Sequence, residues 1–282
     1  MTPLLRGLRN PFTRSVQSSP VILSDQSEGP ATPPLRRVEL IMGMPIEIEV
    51  HDPGVEPDRL NAAFDWFRRV DEIFSTYKRE SQISRISRGE LEPDEADGDV
   101  RAVLERCEEL AVETKGYFDI HLAQGIDPSG LVKGWSVDRA GALLQAQGIA
   151  NFCINAGGDV LIRGAPGCGS RWRIGIRHPI EHDKLAKVVV GNDLAIATSG
   201  EYERGRHIVD PRTGRPPDGV LSVTIAGPEL GTADAYATAA FAMGTGAADW
   251  IGRLDSYDGM VILADQTVLL TPTFPDEAVF GY

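Results

Sequence analysis

Cysteine is scarce in this 282-residue chain: Cys107, Cys153 and Cys168 are an odd number without C-x-x-C spacing. Neither a disulfide framework nor a cysteine zinc site is suggested. Long apolar runs are lacking too, since none approaches the ~18 residues of a membrane-spanning helix, so no membrane insertion is expected. Basic residues are in the minority, 28 Lys and Arg against 41 Asp and Glu, for a net charge of −13. That sign is wrong for a chain tracking a phosphate backbone over a wide surface, and no nucleic-acid partner is expected. A small phosphorylated ligand stays possible, because local amides, one lysine and a divalent metal suffice to hold it. A G-x-G-x-x-G fingerprint between a strand and a helix is missing, which disfavours a Rossmann site, and the P-loop pattern fails because Gly134 follows Lys133.

With 42% hydrophobic and 24% charged residues the composition is that of an ordinary globular protein, with room for one large domain or two small ones. Residues 1–35 hold six of the 19 prolines and no apolar stretch long enough for a secretory signal, since Pro20–Leu23 is too short. They are expected to form a flexible tail ahead of a domain spanning 36–282. No cysteine precedes Cys107 to take a lipid, and the cytoplasm is the expected location.

Ile46, Ile48 and Val50 alternate with Glu47 and Glu49, the period of a strand with one wet face, and Met42-Gly-Met44 interrupts that pattern. Helical spacing of apolar residues predicts helices over 58–74, 99–115 and 136–147, the last two closed by Gly116 and Gly148. After Gly148 short β-type runs follow at 152–155, 160–163, 172–177, 187–190, 194–198 and 220–226. A buried helix over 233–243 and a hairpin over 259–270 around Asp265-Gln266 complete the chain. Helices first and strands later predict an α+β class, with mixed, largely antiparallel sheets packed against helices.

Four stretches stand out as candidate chemistry. Asn155-Ala-Gly-Gly-Asp159 reads as a ligand-approaching backbone or simply a tight turn. Asp127-Pro-Ser-Gly-Leu-Val-Lys-Gly134 runs into a helix, so amides and an ammonium could meet an anion there, or Lys133 could be a solvated residue beside a capped helix. His207 with Asp210 three residues on fits a general base, although most lone histidines do nothing of the kind. Asp234 and Thr238 share one face of the last apolar helix, where a hard cation or ordinary backbone hydrogen bonding would satisfy their oxygens.

In order along the chain, these stretches resemble the ApbE-type flavin transferases, the FAD:protein FMN transferases, from about Arg36 to the C-terminus. Met42-Gly-Met44 is similar to the family's Met-Gly-Thr, Phe74-Ser-Thr-Tyr77 to its Phe-Ser-x-Tyr, and Gly116-Tyr-Phe-Asp119 to its Gly-Ala-Phe-Asp. Asp127 to Gly134 resembles Asp-Leu-Gly-Gly-Ile-Ala-Lys-Gly, and Asn155 to Asp159 resembles Asn-x-Gly-Gly-Asp. Thr198-Ser-Gly200 with His207 to Gly214 resembles Thr-Ser-Gly and His-Ile-Ile-Asp-Pro-x-Thr-Gly, and Asp234 to Thr238 resembles Asp-Ala-x-x-Thr.

The resemblance implies that FAD is the substrate, held by Met42, Tyr77, Tyr117, Phe118, Asp119, Asp127, Lys133, Thr198 and Ile208. It implies Mg²⁺ on Asp234 and Thr238, with backbone carbonyls at Gly130 and Ala237. Catalytic roles fall to His207, as the base that takes the hydroxyl proton, and to Lys133 and Asp210. The partner would be an acceptor flavoprotein that receives FMN on a Thr or Ser hydroxyl while AMP leaves. Two other readings stay open, an FAD pyrophosphatase with water as acceptor and a flavin carrier without turnover. Two departures are visible: only seven residues, Ile120 to Ile126, follow Asp119 where many members carry a longer insert, and Met44 replaces the threonine of Met-Gly-Thr. Trp135 and Tyr117 could supply replacement stacking or simply be core.

Overall fold

The computed structural model describes residues 21–22, 33–122, 125–167, 169–181, 183–200 and 208–277. Within the segment expected as a tail, β1 (Val21–Ile22) pairs with a later strand, and β2 begins at Leu35. The alternating glutamates belong to a hairpin of β2 (Leu35–Ile41) and β3 (Met44–Val50). Its two-residue turn has positive φ at both positions, 53° at Met42 and 73° at Gly43. Such a mirror-image turn matches the twist of the strands it joins.

The chain then leaves the sheet for a helical excursion. A short 3-10 turn, Pro57–Leu60, leads into α1 (Asn61–Phe74), whose Ala63, Phe64, Phe67, Val70 and Phe74 face inward. Next come α2 (Gln82–Ser87), capped by the Ser81 hydroxyl, and α3 (Gly98–Glu113), capped by the Asp97 carboxylate. A small hairpin, β4 (His121–Leu122) and β5 (Gly125–Ile126), precedes α4 (Ser129–Ala146). Helix α4 starts seven residues before the expected Ser136 and includes the lysine motif. Gly130 and Gly134 lower the intrinsic helix signal there, and burial of Leu131, Val132, Val137 and Ala140 overrides it.

The second half is β6 (Phe152–Ala156), β7 (Asp159–Arg163), β8 (Trp172–Arg177), β9 (Leu185–Gly191), β10 (Leu194–Gly200) and β11 (Val220–Gly227). Then follow α5 (Leu230–Ala242), α6 (Ala247–Ile251), β12 (Asp258–Leu263) and β13 (Val268–Leu270). An eight-stranded sheet has the order β13-β12-β11-β10-β7-β6-β3-β2, and β8 and β9 form a second sheet with β1. Every pairing between these strands is antiparallel. The result is an α+β fold.

Apolar side chains on one face of the large sheet pack with α1, α4 and α5 around Phe64, Phe67, Phe152 and Phe241. On the other face Trp172, Ile174 and Val189 of the small sheet close over Cys153, Ile162 and Met260. Helix α5 is thus walled in nearly all round, which is why it reads as apolar without a polar stripe. Among the described residues no helix is long and apolar enough to cross a membrane.

Candidate active site

Helices α4 and α5 cross with almost no side chain between them. A Cβ on Gly134 would stand 2.3 Å from the Leu230 carbonyl oxygen and 2.8 Å from Gly231 Cα. Only glycine permits that approach. The first amides of α5 have no partner within their own helix, and Asp138 of α4 takes two of them, from Leu230 at 2.9 Å and Gly231 at 2.8 Å. Burial pushes the Asp138 carboxyl up to about 6, against the pull of those amides.

This crossing brings Lys133 to the carboxylates of two other elements. Its Nζ lies 2.6 Å from Asp159 Oδ2 and 3.4 Å from Asp234 Oδ1. The shorter contact is an ion pair without the angular geometry of a hydrogen bond. Asp234 Oδ2 accepts from the Gly134 amide at 3.2 Å. Asp159 Oδ1 accepts from the Thr198 amide at 3.1 Å, and Thr198 Oγ1 shares a 2.9 Å hydrogen bond with Thr224. Asp159 is only 1% exposed and Asp234 3%. Burial pushes the Asp234 carboxyl up to about 7, with Lys133 opposing and the neighbouring Asp159 charge adding to the rise.

One turn along α5 from Asp234, Thr238 meets the start of α4. A Cβ on Gly130 would touch Thr238 Oγ1 at 3.4 Å and Phe118 Cε2 at 3.2 Å. Asp234, Thr238, Gly130, Lys133 and Phe118 therefore surround one region, and Ala237 lies in the core behind it. Asp127 opens α4, its Oδ1 accepting the Ser129 amide, and Asp119 closes a similar turn by accepting from His121 N.

A second grouping stands at the turn after Ile208. Asp210 accepts from the Arg212 amide at 2.9 Å and pairs with its Nε at 3.3 Å. Burial acts to raise the Asp210 carboxyl, but its hydrogen bonds with Arg212 prevail and hold it below the usual carboxylate range. The Arg212 guanidinium lies over the Tyr117 ring and donates to its hydroxyl. Ile208 and Met42 are half-buried at the edge of the main core. Tyr77 stands apart, 98% exposed on the turn after α1. His207 lies outside the described residues, as does Cys168.

Among the described residues no group of three or more His, Cys, Asp or Glu gathers in a metal-holding arrangement. The donor chemistry nevertheless fits Mg²⁺. Two buried carboxyl groups converge on one ammonium, beside a hydroxyl and helix backbone. Hard oxygens with few protein carboxylates are what that cation takes when phosphates supply the remaining ligands.

Asp159 and Arg212 are members of these groupings that motif reading left without a role. The Gly-Gly before Asp159 signalled a ligand-approaching backbone or a tight turn, and neither reading gave the aspartate side chain a role of its own. Arg212 carried no signal, because its partner Tyr117 is 95 residues away.

The ApbE family model matches residues 42–125 and 121–261. An FAD:protein FMN transferase of Vibrio cholerae is 33% identical over 168 residues, 56% of this chain and 50% of that protein. The chain thus spans about half the length of that curated relative. In solved structures, the flavin transferase ApbE from Vibrio cholerae has a TM-score of 0.75 at 24% identity, covering 86% of this chain and 98% of its own. The ApbE protein of Thermotoga maritima matches with the same score and identity, covering 86% and 100%. With a family match across residues 42–261 of the 282, this chain belongs to the ApbE family.

Proposed function

We propose that this chain transfers the FMN half of FAD to a Thr or Ser hydroxyl of an acceptor flavoprotein, releasing AMP. The observation that carries the reading is the meeting of Lys133, Asp159 and Asp234, one ammonium for two buried carboxylates. A site with two buried carboxyl groups, an ammonium and an adjoining hydroxyl suits a divalent cation and a diphosphate together, whereas merely holding a flavin ring requires neither.

Asp234 and Thr238, with the carbonyls of Gly130 and Ala237, would hold Mg²⁺. When bound, the cation supplies charge neutralisation on the pyrophosphate. Lys133 adds a positive charge to the same diphosphate, held in place by Asp159. Met42, Tyr77, Tyr117, Phe118, Asp119, Asp127, Thr198 and Ile208 are assigned to the FAD site, and Tyr117 with Phe118 supplies aromatic surface near the flavin. His207 takes the proton from the incoming hydroxyl. A bond forms between that oxygen and the phosphorus of the FMN phosphate, the bridging P–O bond to AMP breaks, and AMP leaves with the electron pair. Asp210 anchors the turn that follows His207 and Ile208 through its contacts with Arg212.

The test is incubation with FAD, Mg²⁺ and an acceptor domain carrying a threonine site, followed by intact-mass measurement and nucleotide analysis. A covalent FMN adduct with stoichiometric AMP is expected. Free FMN with AMP and no adduct would make the chain a hydrolase, and intact FAD throughout would overturn turnover altogether.

A further inference from the structure

A two-substrate transfer needs a place for the second substrate, and one open space stands apart from the charged cluster. It is a cavity of about 470 Å³ between the turn 210–218 and the end of α5 at Ala242 and Met243, continuing to Thr245. Its helix wall is a direct continuation of the cluster. Asp234, Thr238 and Ala242 are spaced by four, so they line one face of α5, about 6 Å apart along the axis. Its opposite wall begins at Asp210, two residues after Ile208. The cavity therefore adjoins both halves of the proposed reaction centre.

Apart from Asp210 at its edge, its lining is separate from the groups already assigned. None of the residues assigned to FAD borders it. The polar groups are of both kinds, with Arg215 donating, Asp218 accepting and Thr213 and Thr245 able to do either. They are spread along the two walls, which suits a main chain offering one donor and one acceptor per residue better than a compact anion. Pro216 and Pro217 add carbonyls without N–H donors, in a stretch whose φ is fixed by the rings. The walls are braced: a Cβ on Gly219, at φ +82°, would lie 2.8 Å from Thr245 Cγ2, and one on Gly244, at φ +62°, would lie 3.0 Å from the Asp218 carbonyl.

We propose that this cavity is the docking groove for the acceptor polypeptide, which lays an extended segment between the 210–218 turn and the C-terminal end of α5. The hydroxyl to be modified then enters along the Ala242–Thr238–Asp234 face. This inference rests on the transferase reading above and adds to it the place where the protein substrate binds.

Asp218 and Thr245 are exposed and belong to none of the FAD, metal or proton-transfer groups, so Asp218→Arg and Thr245→Arg test the groove without touching the chemistry. The probe is an FMN-binding acceptor domain with its threonine site intact, and the same domain with that threonine changed to alanine is the blank. Each variant is expected to raise the acceptor KM at least tenfold, while FAD affinity, read by flavin fluorescence, stays within twofold. An unchanged acceptor KM in both variants, with the wild type transferring FMN, overturns the groove and leaves the transferase reading intact. FAD affinity that falls in step with acceptor KM also overturns it, since the cavity would then belong to the nucleotide. A wild type that binds FAD but never modifies the domain overturns both.

Discussion

The guanidinium carbon of Arg212 stands 3.8 Å from the centroid of the Tyr117 ring, and its Nη2 donates to the Tyr117 hydroxyl. This contact ties the turn after Ile208 to the segment before α4, two parts of the chain that must act on one FAD if the proposed function holds. Arg212→Ala removes it. An exposed cation–aromatic pair contributes about 0.5–1 kcal/mol, so turnover is expected to fall about two- to fivefold. Arg212→Lys should restore part of the loss. Equal kcat in wild type and Arg212→Ala would show the contact to be inert.

Lys133→Met keeps the length of the side chain and removes its charge. Asp159 and Asp234 would then face each other with no ammonium between them. Stranding buried carboxylates in this way costs about 3–5 kcal/mol, which chemical denaturation would register directly. A stability loss under 1 kcal/mol would mean that solvent or a bound ion already compensates the pair.

Asp234→Asn preserves shape while removing the charge assigned to the cation. Mg²⁺-stimulated turnover is expected to drop by a factor on the order of 10² to 10³. Part of the FAD affinity should survive, measured by flavin fluorescence without metal, because Asp234 is not assigned to the ring. Turnover that keeps its full response to Mg²⁺ would refute the metal assignment.

Gly134→Ala gains helix propensity, about 1 kcal/mol, yet places a methyl group against the backbone of Leu230. Backbone cannot step aside as a side chain can, so α4 and α5 must separate, and a net loss of about 1–3 kcal/mol is expected. Gly98→Ala is the control, since a Cβ at Gly98 meets nothing within 4 Å at the first turn of α3. Urea midpoints that rise for Gly98→Ala and fall for Gly134→Ala would bear out the close crossing; parallel rises would deny it.

Asp138 supplies a pH dependence of known sign. Its carboxyl is raised from 3.8 to about 6 by burial, so the native state holds this proton more tightly than the unfolded chain does. Its contribution is fully present below pH 3.8 and is lost as pH rises toward 6. The stability of the wild type relative to Asp138→Asn should therefore decline between about pH 4 and 6 and level off above, measured by urea melts at each pH. A difference independent of pH in that window would contradict the raised value.

Much of the architecture was legible because period and punctuation agree with the final packing. The alternation Ile46, Ile48, Val50 is a sheet-edge hairpin, and Leu60 to Phe74 turns an apolar stripe to the core. The start of α4 was not legible, since Gly130 and Gly134 look like breakers until one sees that Phe118, Thr238 and Leu230 press on them. The candidate site was legible as separate pieces. Asp159 was hidden in its turn because its charge partner is 26 residues away, and the bond between Arg212 and Tyr117 spans 95. Sequence spacing carries information about neighbours on one element, and these contacts are between elements.

The near-bare crossing at Gly134 has an effect on how the chain selects its own packing. A slip of α4 by a single residue along α5 would rotate Lys133 by about 100° about the helix axis. It would take the ammonium away from Asp159 and Asp234, and stranding buried carboxylates in that way costs about 3–5 kcal/mol. Lys133, Asp159 and Asp234 thus act as a register mark, and a misaligned helix pair is disfavoured by its own electrostatics.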